Sequence, residues 1–386
     1  MNTCRVIPRV TGGASRAIRA TAAEIDLGAL RHNAAALRRA AGDTPMAAVI
    51  KADAYGHGAA EVARALAGLC ERFAVSLVEE GIELRDAGVA EPILVMGPSL
   101  AGGHRELVER GLTAVVSDPA DLEVLAEIGR TRGQPVPIHI KVDTGMARLG
   151  IAAEAVGRLV ARMLGAGGVA LEGICTHFAC ADLPDLADAS AITHAQIAVF
   201  ERALAAARAA GAGDLVRHAA NSAGVIRFSA ARYDLVRPGL AMYGNGLAPD
   251  GETLRPVMRL VSQIAQVRAV AAGQPVSYGG LWRAPQASRI AVLPIGYADG
   301  YPRRLTGSAE VLVGGRRCPV VGAISMDMTL VDVTSLGHDA SVGDAVVLLG
   351  AQGEERITAR ELAERAGVTE YEVTCAVSKR VPRTYR

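Results

Sequence analysis

The chain has 386 residues, of which 50% are hydrophobic and 21% charged, and 41 basic against 40 acidic residues give a formal net charge of +1. This balance is typical of a soluble protein and indicates neither a nucleic-acid partner nor an anionic membrane surface. No apolar run is long enough to span a bilayer, and the six cysteines show neither a CxxC pair nor metal-ligand spacing. We therefore expect a cytoplasmic protein with reduced thiols and no bound metal.

The first twenty residues contain four arginines and no acidic residue. They lack the apolar core of a secretory signal, and Pro8 with Gly12 and Gly13 interrupts any amphipathic helix. We predict a disordered basic tail over residues 1–20.

From residue 21 onward, short apolar runs alternate with helical patterns. The segment 22–27 reads as a short strand and 30–41 as an amphipathic helix. The strands predicted after them are Ala47–Lys51, Phe73–Ser76, Ile93–Met96, Ala114–Ser117, Ile138–Val142, Gly173–Cys175, Val216–Ala219 and Leu235–Arg237. Eight such units in about two hundred residues indicate a (β/α)8 TIM barrel. A doubly wound open sheet is the alternative, but no GxGxxG follows the first strand.

After Tyr243 the pattern changes to strands joined by glycine-rich turns, beyond a linker at Asn245–Gly251. The predicted elements are strands at Val257–Val270, Arg289–Pro294, Ala309–Val313, Met328–Val333 and Ala345–Leu349, and a helix at Thr358–Ala366. The expected fold class is α/β, an N-terminal (β/α)8 barrel over residues 21–245 followed by a mostly-β C-terminal domain over 246–386. We expect residues 21–27 to pair with the β domain.

The first barrel strand delivers Lys51 into a loop of small residues, and residues 51–58 read KADAYGHG. A lysine at a strand end can extend its amine to water. Alternatively, burial lowers the pKa of such an amine and frees it to form a Schiff base. Taken alone, the first reading is the commoner one.

Strands seven and eight run into HAANS at residues 218–222 and RPGLAMY at 237–243. Barrel enzymes build their sites at these strand ends and often bind phosphate after the last two strands. The hydroxyl of Ser222 and the amides of Gly239 and Leu240 are candidates for an anion site. Two ordinary turns, with a helix cap at Asn221 or Ser222, are the alternative.

These blocks resemble the motifs of alanine racemases, which bind pyridoxal 5′-phosphate (PLP) on a lysine. Further matching blocks are IKVDTGMARLG at 140–150, VSYG at 276–279, GYADGYP at 296–302 and SMDM at 325–328. The blocks occur in the expected order and cover roughly residues 22–383. The resemblance implies that Lys51 carries PLP.

The resemblance also implies how the cofactor is held. The implied cofactor contacts, beside Lys51, are Tyr55, Arg148, His177, Asn221, Ser222, Arg237, Gly239 and Leu240. Arg237 would donate to the pyridine nitrogen, and because a guanidinium stays protonated in practice, that nitrogen would remain unprotonated. This favours return of a proton to Cα over transamination.

A racemase needs two groups on opposite faces of Cα, one to remove the proton and one to return it. The resemblance implies that Tyr278 deprotonates the L-enantiomer and Lys51 the D-enantiomer. His177, with Arg217 or a similar cation behind it, is a candidate to assist Tyr278. In the family this tyrosine comes from the neighbouring subunit, so a homodimer with shared sites is expected.

The remaining implied residues concern the substrate. Tyr297 matches an entrance tyrosine, and Met326, Asp327 and Arg148 are expected to bind the substrate carboxylate. Lys141 matches a lysine that some members carry as a carbamate, whose charge would hold Arg148 in place. Lys379 departs from the family, where several members have a tyrosine near the phosphate of PLP.

The resulting prediction is a PLP-dependent racemase that interconverts L- and D-alanine and supplies D-alanine for peptidoglycan. A serine or broad-specificity racemase on the same scaffold is the closest alternative. A PLP barrel decarboxylase would need a carboxylate in the place of Arg237. A single-barrel PLP carrier would lack the C-terminal β domain.

Overall fold

A computed structural model describes residues 18–99, 102–183 and 187–386. They form two compact units, one being Leu27–Val257 and the other the described residues up to Asp26 together with Met258–Arg386. Residues 1–17 of the predicted tail lie outside the described residues. Arg19, at the end of that tail, donates two hydrogen bonds to the buried carboxylate of Asp299, at 2.8 and 2.9 Å. The disordered tail over residues 1–20 stays a prediction.

Parallel strands form the Leu27–Val257 unit. The first strand of the chain, β1 (Ala22–Ile25), precedes it and belongs to the other unit. The strands of this unit are β2 (Ala47–Val49), β3 (Arg72–Val75), β4 (Ile93–Val95), β5 (Thr113–Val116), β6 (Val136–Asp143), β7 (Ile151–Ala152), β8 (Val169–Cys175) and β9 (Val216–His218). Seven of them pair in the order β2-β3-β4-β5-β6-β8-β9, and the short β7 pairs with the end of β6.

Helices connect successive strands, as a parallel sheet requires. They are α1 (Leu27–Ala41), α2 (Lys51–Gly56), α3 (Ala59–Leu66), α4 (Val78–Asp86), α5 (Gly103–Glu109), α6 (Pro119–Arg132), α7 (Val156–Ala166), α8 (Ala189–Ala209) and α9 (Ser222–Arg227). Helix α6 shows why the sequence folds this way, because Asp118 caps its first turn, Pro119 occupies the first helical position and Gly133 ends it in the left-handed region. In the part of the chain that the structure describes, no helix is both long and apolar enough to cross a membrane.

The eighth predicted strand is reduced to a single bridge, which closes the ring. Val236 forms a parallel bridge with Met46, just before β2. On its other side, the N–H of Arg237 donates to the carbonyl of Ala220 at 2.8 Å, just beyond β9. Pro238 follows at once and has no N–H with which to extend the ladder. The result is a (β/α)8 barrel whose last strand is very short.

Alternation along the strands decides what faces the barrel interior. A cluster of small and medium apolar residues fills much of it: Ala47, Val49, Ala74, Leu94, Val115, Cys175 and Leu235. Strand β6 carries His139 and Lys141 two residues apart, hence on one face, and both are buried. Polar groups are thus placed inside an otherwise apolar ring.

The second unit is mostly β, as predicted. Its strands after β1 are β10 (Met258–Gln263), β11 (Gln266–Val270), β12 (Pro275–Val276), β13 (Trp282–Arg283), β14 (Ser288–Leu293), β15 (Glu310–Val313), β16 (Arg316–Pro319), β17 (Thr329–Asp332), β18 (Ala345–Gln352), β19 (Glu355–Ile357) and β20 (Arg383–Tyr385). Two helices, α10 (Ala359–Ala366) and α11 (Glu370–Cys375), complete it. The sheets have the orders β16-β15-β18-β10-β1-β20, with β19 on β18, then β11-β14-β17, and β12-β13.

One predicted strand, Val257–Val270, is two strands in different sheets. Ile264 donates its N–H to the carbonyl of Asp344 at 3.0 Å, whereas Ala265 donates to that of Val292 at 2.8 Å. The chain therefore changes sheets between adjacent residues without a turn. Hydrophobic alternation alone does not reveal such a change.

Candidate functional site

Lys51 begins α2 directly beyond the first barrel strand, which ends at Val49 and not at Lys51 as predicted. The next four residues, Ala52 to Tyr55, have φ between 52° and 54° and ψ between 37° and 51°, which makes one left-handed turn. For L-residues this conformation costs about 1–2 kcal/mol each. Such strain persists only where the surroundings impose it, and it concentrates at functional sites.

Two carboxylates hold the left-handed turn. Asp53 accepts the N–H of Ala59 at 2.7 Å and so ties the turn to the start of α3. Glu80, in the first turn of α4, accepts the N–H of Ala52 at 2.5 Å through one oxygen and that of Ser76 at 2.7 Å through the other. The loops that follow the first two barrel strands are thereby joined beside Lys51.

Arg237 lies buried inside the barrel. Its guanidinium donates to His218 Nδ1 at 2.8 Å, to the carbonyl of Thr176 at 2.6 Å and to that of Ala219 at 3.2 Å. Burial lowers the pKa of Arg237, yet from so high a value that the group stays charged. A guanidinium has five N–H donors, so two remain that have no acceptor among the described residues.

Cationic side chains surround His177, the histidine that follows β8. Burial lowers the pKa of His177 well below its usual value, and the charges of Arg237, Lys141, Arg148 and Lys51 lower it further. The imidazole is therefore neutral at physiological pH. Four positive charges at the carboxyl ends of the barrel strands make a site that attracts anions.

Lys141 is buried among these charges. Burial lowers its pKa most, the thiol of Cys175 acts in the opposite direction, and Arg148 is the first of three cations that lower it further. Among the described residues, no carboxylate forms a salt bridge with Lys141. A buried amine with a lowered pKa and cationic neighbours is well suited to carry an added negative group.

The loop that carries Arg148 is folded around Asp143. One oxygen of Asp143 accepts the N–H groups of Gly145, Met146 and Ala147, at 3.0, 3.0 and 3.1 Å. Partial burial raises the pKa of Asp143, but these hydrogen bonds outweigh it and keep the pKa below its usual value. Asp143 lies in the DTGM block, but no sequence pattern indicated this role.

Ser222 and Gly239 bring the last two strand ends together. Ser222 Oγ accepts the N–H of Gly239 at 2.9 Å and that of Ala241 at 3.3 Å. A Cβ at Gly239 would lie only 2.7 Å from Tyr55 Oη and 3.3 Å from Cβ of Val49. Glycine is therefore required for this backbone to approach the hydroxyl of Tyr55.

Asn221 and Leu240 sit at the starts of two short helices. Asn221 is the N-cap of α9, and its side chain accepts the N–H of Gly224 at 2.9 Å. Leu240 begins a single 3₁₀ turn, Leu240–Tyr243. The capping role that the sequence left open is thus observed for Asn221.

In the β unit, Tyr278 is 73% exposed and follows a strained residue. Ser277 has φ 64° and ψ −174°, a region that essentially only glycine occupies. Its hydroxyl donates to the carbonyl of Ala323 at 2.7 Å. A Cβ at Gly322 would lie 2.7 Å from that of Ser277, so the loop before Tyr278 packs closely on the 322–323 segment.

The other predicted substrate residues share one loop cluster of the β unit. The residue after Tyr297 donates its N–H to the carbonyl of Met326 at 3.0 Å, which brings the two loops together. The carboxylate of Asp327 accepts from Arg380 at 2.7 Å. Lys379, next to that arginine, is exposed.

One predicted partner is wrong. Arg217 was a candidate cation behind His177, but its guanidinium pairs with both oxygens of Asp234, at 2.7 and 2.8 Å. Neighbouring strand residues face opposite sides, so His218 points into the barrel and Arg217 does not. Among the charges that lower the pKa of His177, that of Arg237 has the largest effect.

Two buried histidines that the sequence analysis left without a role belong to this site. His218 accepts from Arg237, as described above, and His139 Nδ1 lies 2.7 Å from His218 Nε2. The available signal was positional, because His139 lies two strand residues before Lys141 and His218 opens the HAANS block.

Two family models match the chain. The model of the alanine racemase N-terminal domain matches residues 25–246, and that of the alanine racemase C-terminal domain matches residues 257–385.

Curated relatives match over nearly their whole length. An alanine racemase of Sorangium cellulosum is 44% identical, with 96% of this chain and 100% of the relative covered. One of Symbiobacterium thermophilum is 42% identical, with 95% and 97% covered.

Solved structures agree with these relatives. The alanine racemase of a D-cycloserine-producing Streptomyces lavendulae has a TM-score of 0.88 at 36% identity, with 95% of this chain and 97% of that chain covered. The alanine racemase of Bacillus anthracis with bound L-Ala-P has a TM-score of 0.89 at 32% identity, with 96% of each chain covered.

Proposed function

The chain belongs to the alanine racemase family, and on that premise we propose that it interconverts L-alanine and D-alanine with PLP as its cofactor. The observation that carries the proposal is the set of four cations around neutral His177 at the strand ends. A phosphate, a phenolate oxygen and a substrate carboxylate are all anionic partners for such a set. The proposed cellular role is to make D-alanine in the cytoplasm for use in peptidoglycan, and this role rests on the family alone.

The residues present suit PLP. Two N–H donors of Arg237 have no acceptor among the described residues, and they suit an unprotonated pyridine nitrogen. Glycine at position 239 leaves the backbone open where the hydroxyls of Tyr55 and Ser222 converge, and we assign the phosphate to that place. Asn221 and Leu240 would complete the rim of this pocket. When bound, PLP supplies an electron-withdrawing ring that acidifies the Cα–H bond of an amino acid joined to it.

Lys51 and Tyr278 are the proposed acid–base pair. The amine of Lys51 would hold the cofactor and move the proton on one face of Cα, deprotonating D-alanine. The phenol of Tyr278 would act on the opposite face and deprotonate L-alanine. Arg237, by staying charged, would leave the pyridine nitrogen unprotonated and favour return of the proton to Cα.

We propose that Tyr278 serves the barrel of a second copy of the chain in a homodimer. Its exposure in the β unit, together with that of Leu281, Met326 and Met328, leaves apolar surface uncovered around one loop cluster. Burial of such surface is the main favourable contribution to association. Tyr297 would stand at the entrance of the shared site, and Asp327 would help bind the substrate carboxylate.

Lys141 is proposed to carry a carbamate. Its lowered pKa increases the fraction of neutral amine, and that fraction attacks carbon dioxide, forms an N–C bond and releases one proton to solvent. The resulting negative charge would pair with Arg148 and offset the crowding of cations. Arg148 would then be fixed against the phenolic oxygen of the cofactor and the carboxylate of the substrate.

The decisive experiment incubates the PLP-loaded protein with L-alanine, L-serine or L-lysine in D₂O and follows optical rotation and deuterium at Cα. We expect loss of rotation and deuterium entry with alanine at a rate at least about tenfold above the other two, a gap of only about 1.4 kcal/mol. Comparable rates with all three would replace the alanine assignment with a broad-specificity racemase. No exchange with any of them would refute the proposed reaction.

The two-base assignment has its own test. Tyr278→Phe removes only the phenolic hydroxyl, so the absorbance of bound PLP should persist while conversion of L-alanine collapses. Lys51→Ala should abolish that absorbance together with activity. Full activity of the Tyr278→Phe variant in both directions would refute the role of Tyr278.

A further inference from the structure

Beneath Arg237, two imidazoles form a buried pair inside the barrel. His218, at the end of β9, and His139, on β6, have no exposed surface. Their Nε2 and Nδ1 atoms are 2.7 Å apart, and the ring planes meet at 69°. Arg237 lies on the far side of His218, 2.8 Å from its Nδ1. The three side chains thus form one line of hydrogen bonds.

The chemistry of the three groups permits one arrangement of protons. A guanidinium only donates, so His218 Nδ1 must accept. A neutral His218 then carries its proton on Nε2 and donates it to His139 Nδ1. His139, whose Nδ1 accepts, must carry its own proton on Nε2. That atom is buried and has no partner among the described residues.

The space for His139 is built into the neighbouring strand. A Cβ at Gly173, on β8, would lie 2.3 Å from His139 Nδ1. Any side chain at position 173 would therefore displace the imidazole from His218. An unpartnered buried N–H on His139 is costly, and a glycine is needed to admit the ring. A side chain that only filled space in the core would require neither a buried N–H without a partner nor a glycine on the neighbouring strand.

We propose that His139 is a positioning residue, which accepts the proton of His218 Nε2 and thereby keeps His218 Nδ1 as the acceptor that fixes Arg237. The proposal rests on the proposed function, in which Arg237 faces the pyridine nitrogen. Burial and the neighbouring charges of Arg72 and Arg237 lower the pKa of His139 to about 3, which agrees with a neutral ring.

Loss of the acceptor at position 139 has a specific consequence. The Nε2–H of His218 would be left unpaired in an apolar interior, and the ring would gain by turning or by moving its proton to Nδ1. After either change, Arg237 would face a ring N–H or a ring carbon of His218 in place of the acceptor Nδ1. The guanidinium would then be free to leave the position that serves the cofactor.

Two variants of His139 separate this role from packing. In His139→Asn, Oδ1 stands as many bonds from Cβ as Nδ1 does in histidine, so an acceptor remains. In His139→Leu, a side chain of similar size offers none. We expect kcat for alanine to fall about tenfold or more in the leucine variant, with KM changed less than about twofold, and the asparagine variant to retain most of kcat.

Neutron diffraction on deuterated crystals of the PLP-loaded protein supplies the readout that does not depend on activity. We expect deuterons on Nε2 of both histidines and none on either Nδ1. A deuteron on His218 Nδ1 or His139 Nδ1 would overturn the proposal, as would equal kcat values for the two variants. Failure of the proposed function would instead appear in the wild type, as absence of deuterium at Cα of alanine, whatever the neutron map shows.

Discussion

The carboxylate of Glu80 accepts a hydrogen bond of 2.5 Å from the backbone N–H of Ala52, the residue that follows Lys51. Its second oxygen accepts from Ser76 at 2.7 Å and from Leu77 at 3.0 Å. One carboxylate therefore accepts hydrogen bonds from three backbone amides and fixes the start of the left-handed turn. The geometry of the lysine depends on a residue of the next βα unit.

Replacing Glu80 with alanine should loosen this turn. Three amides lose their acceptor, so we expect the free energy of unfolding to fall by about 1–3 kcal/mol and the affinity for PLP to fall with it. Chemical denaturation and titration of cofactor absorbance measure the two effects. Glu79→Ala removes an exposed carboxylate from the same helix turn and should change stability by less than about 0.5 kcal/mol. Equal behaviour of the two variants would contradict the role of Glu80.

Gly239→Ala should expel the hydroxyl of Tyr55 from its place. The added methyl would lie 2.7 Å from Tyr55 Oη and 3.3 Å from Val49 Cβ, so the tyrosine must move. We expect PLP to bind about tenfold more weakly, measured by cofactor absorbance, because two proposed phosphate contacts are disturbed. Gly213→Ala, where a Cβ meets nothing within 4 Å, is the matched control. Wild-type PLP affinity in Gly239→Ala would argue against a phosphate at this place.

At position 277, a glycine should give a more stable protein than an alanine, which is the reverse of the usual order. Both Ser277→Ala and Ser277→Gly remove the hydrogen bond to Ala323, but only glycine accepts φ 64° and ψ −174° without strain. That strain amounts to about 1–3 kcal/mol, which exceeds the cost of about 0.5–1 kcal/mol that glycine usually carries relative to alanine. Thermal unfolding should therefore show the glycine variant to be the more stable of the two. The opposite order would mean that Ser277 is not strained.

Acid should destabilise the fold through His139. Burial and the charges of Arg72 and Arg237 lower its pKa from 6.5 to about 3 on folding. Between these values the unfolded chain binds a proton that the folded chain does not, so stability falls as the pH falls. His139→Leu should reduce the slope of unfolding free energy against pH by about 1 kcal/mol per pH unit between about pH 4 and 6. At about pH 8, where both states hold a neutral ring, the slopes should coincide. An unchanged slope in acid would show that His139 titrates alike in both states.

The sequence predicted most of the architecture because its signals are local. Runs of apolar residues mark strands β2 to β6, β8 and β9 to within about four residues, whereas the two-residue β7 was not predicted. Thr358 before Glu361 marks the start of α10, where its hydroxyl accepts the N–H of Glu361 at 3.0 Å. The eighth strand was harder, because its existence as a bridge to Met46 depends on ring closure and not on its own residues. The same holds for the change of sheet at Ile264, where only the partners differ.

The sequence predicts candidate site residues that belong to a recognisable motif. It predicts much less well the conformation of residues that are positioned by contacts with distant neighbours. Nothing in Ala52 or Ala54 favours a left-handed conformation, which is imposed by contacts such as that of Glu80. The link from His139 to His218 joins residues 79 apart in the chain. Strand periodicity puts His139 on the same face of β6 as Lys141, but only the closed barrel brings it to His218.

The barrel closes between its first strand and its last short segment, and the proposed cofactor contacts lie on both sides of that seam. Ala47 and Val49 donate their N–H groups to the carbonyls of Val236 and Pro238, at 2.8 and 2.9 Å, while Tyr55 on one side meets Gly239 on the other. A ligand that contacts both sides binds the closed ring and not the open one, so bound PLP would stabilise the closed barrel. In the cofactor-free protein, the amides of Ala47 and Val49 would exchange with solvent sooner than those of strands deeper in the ring.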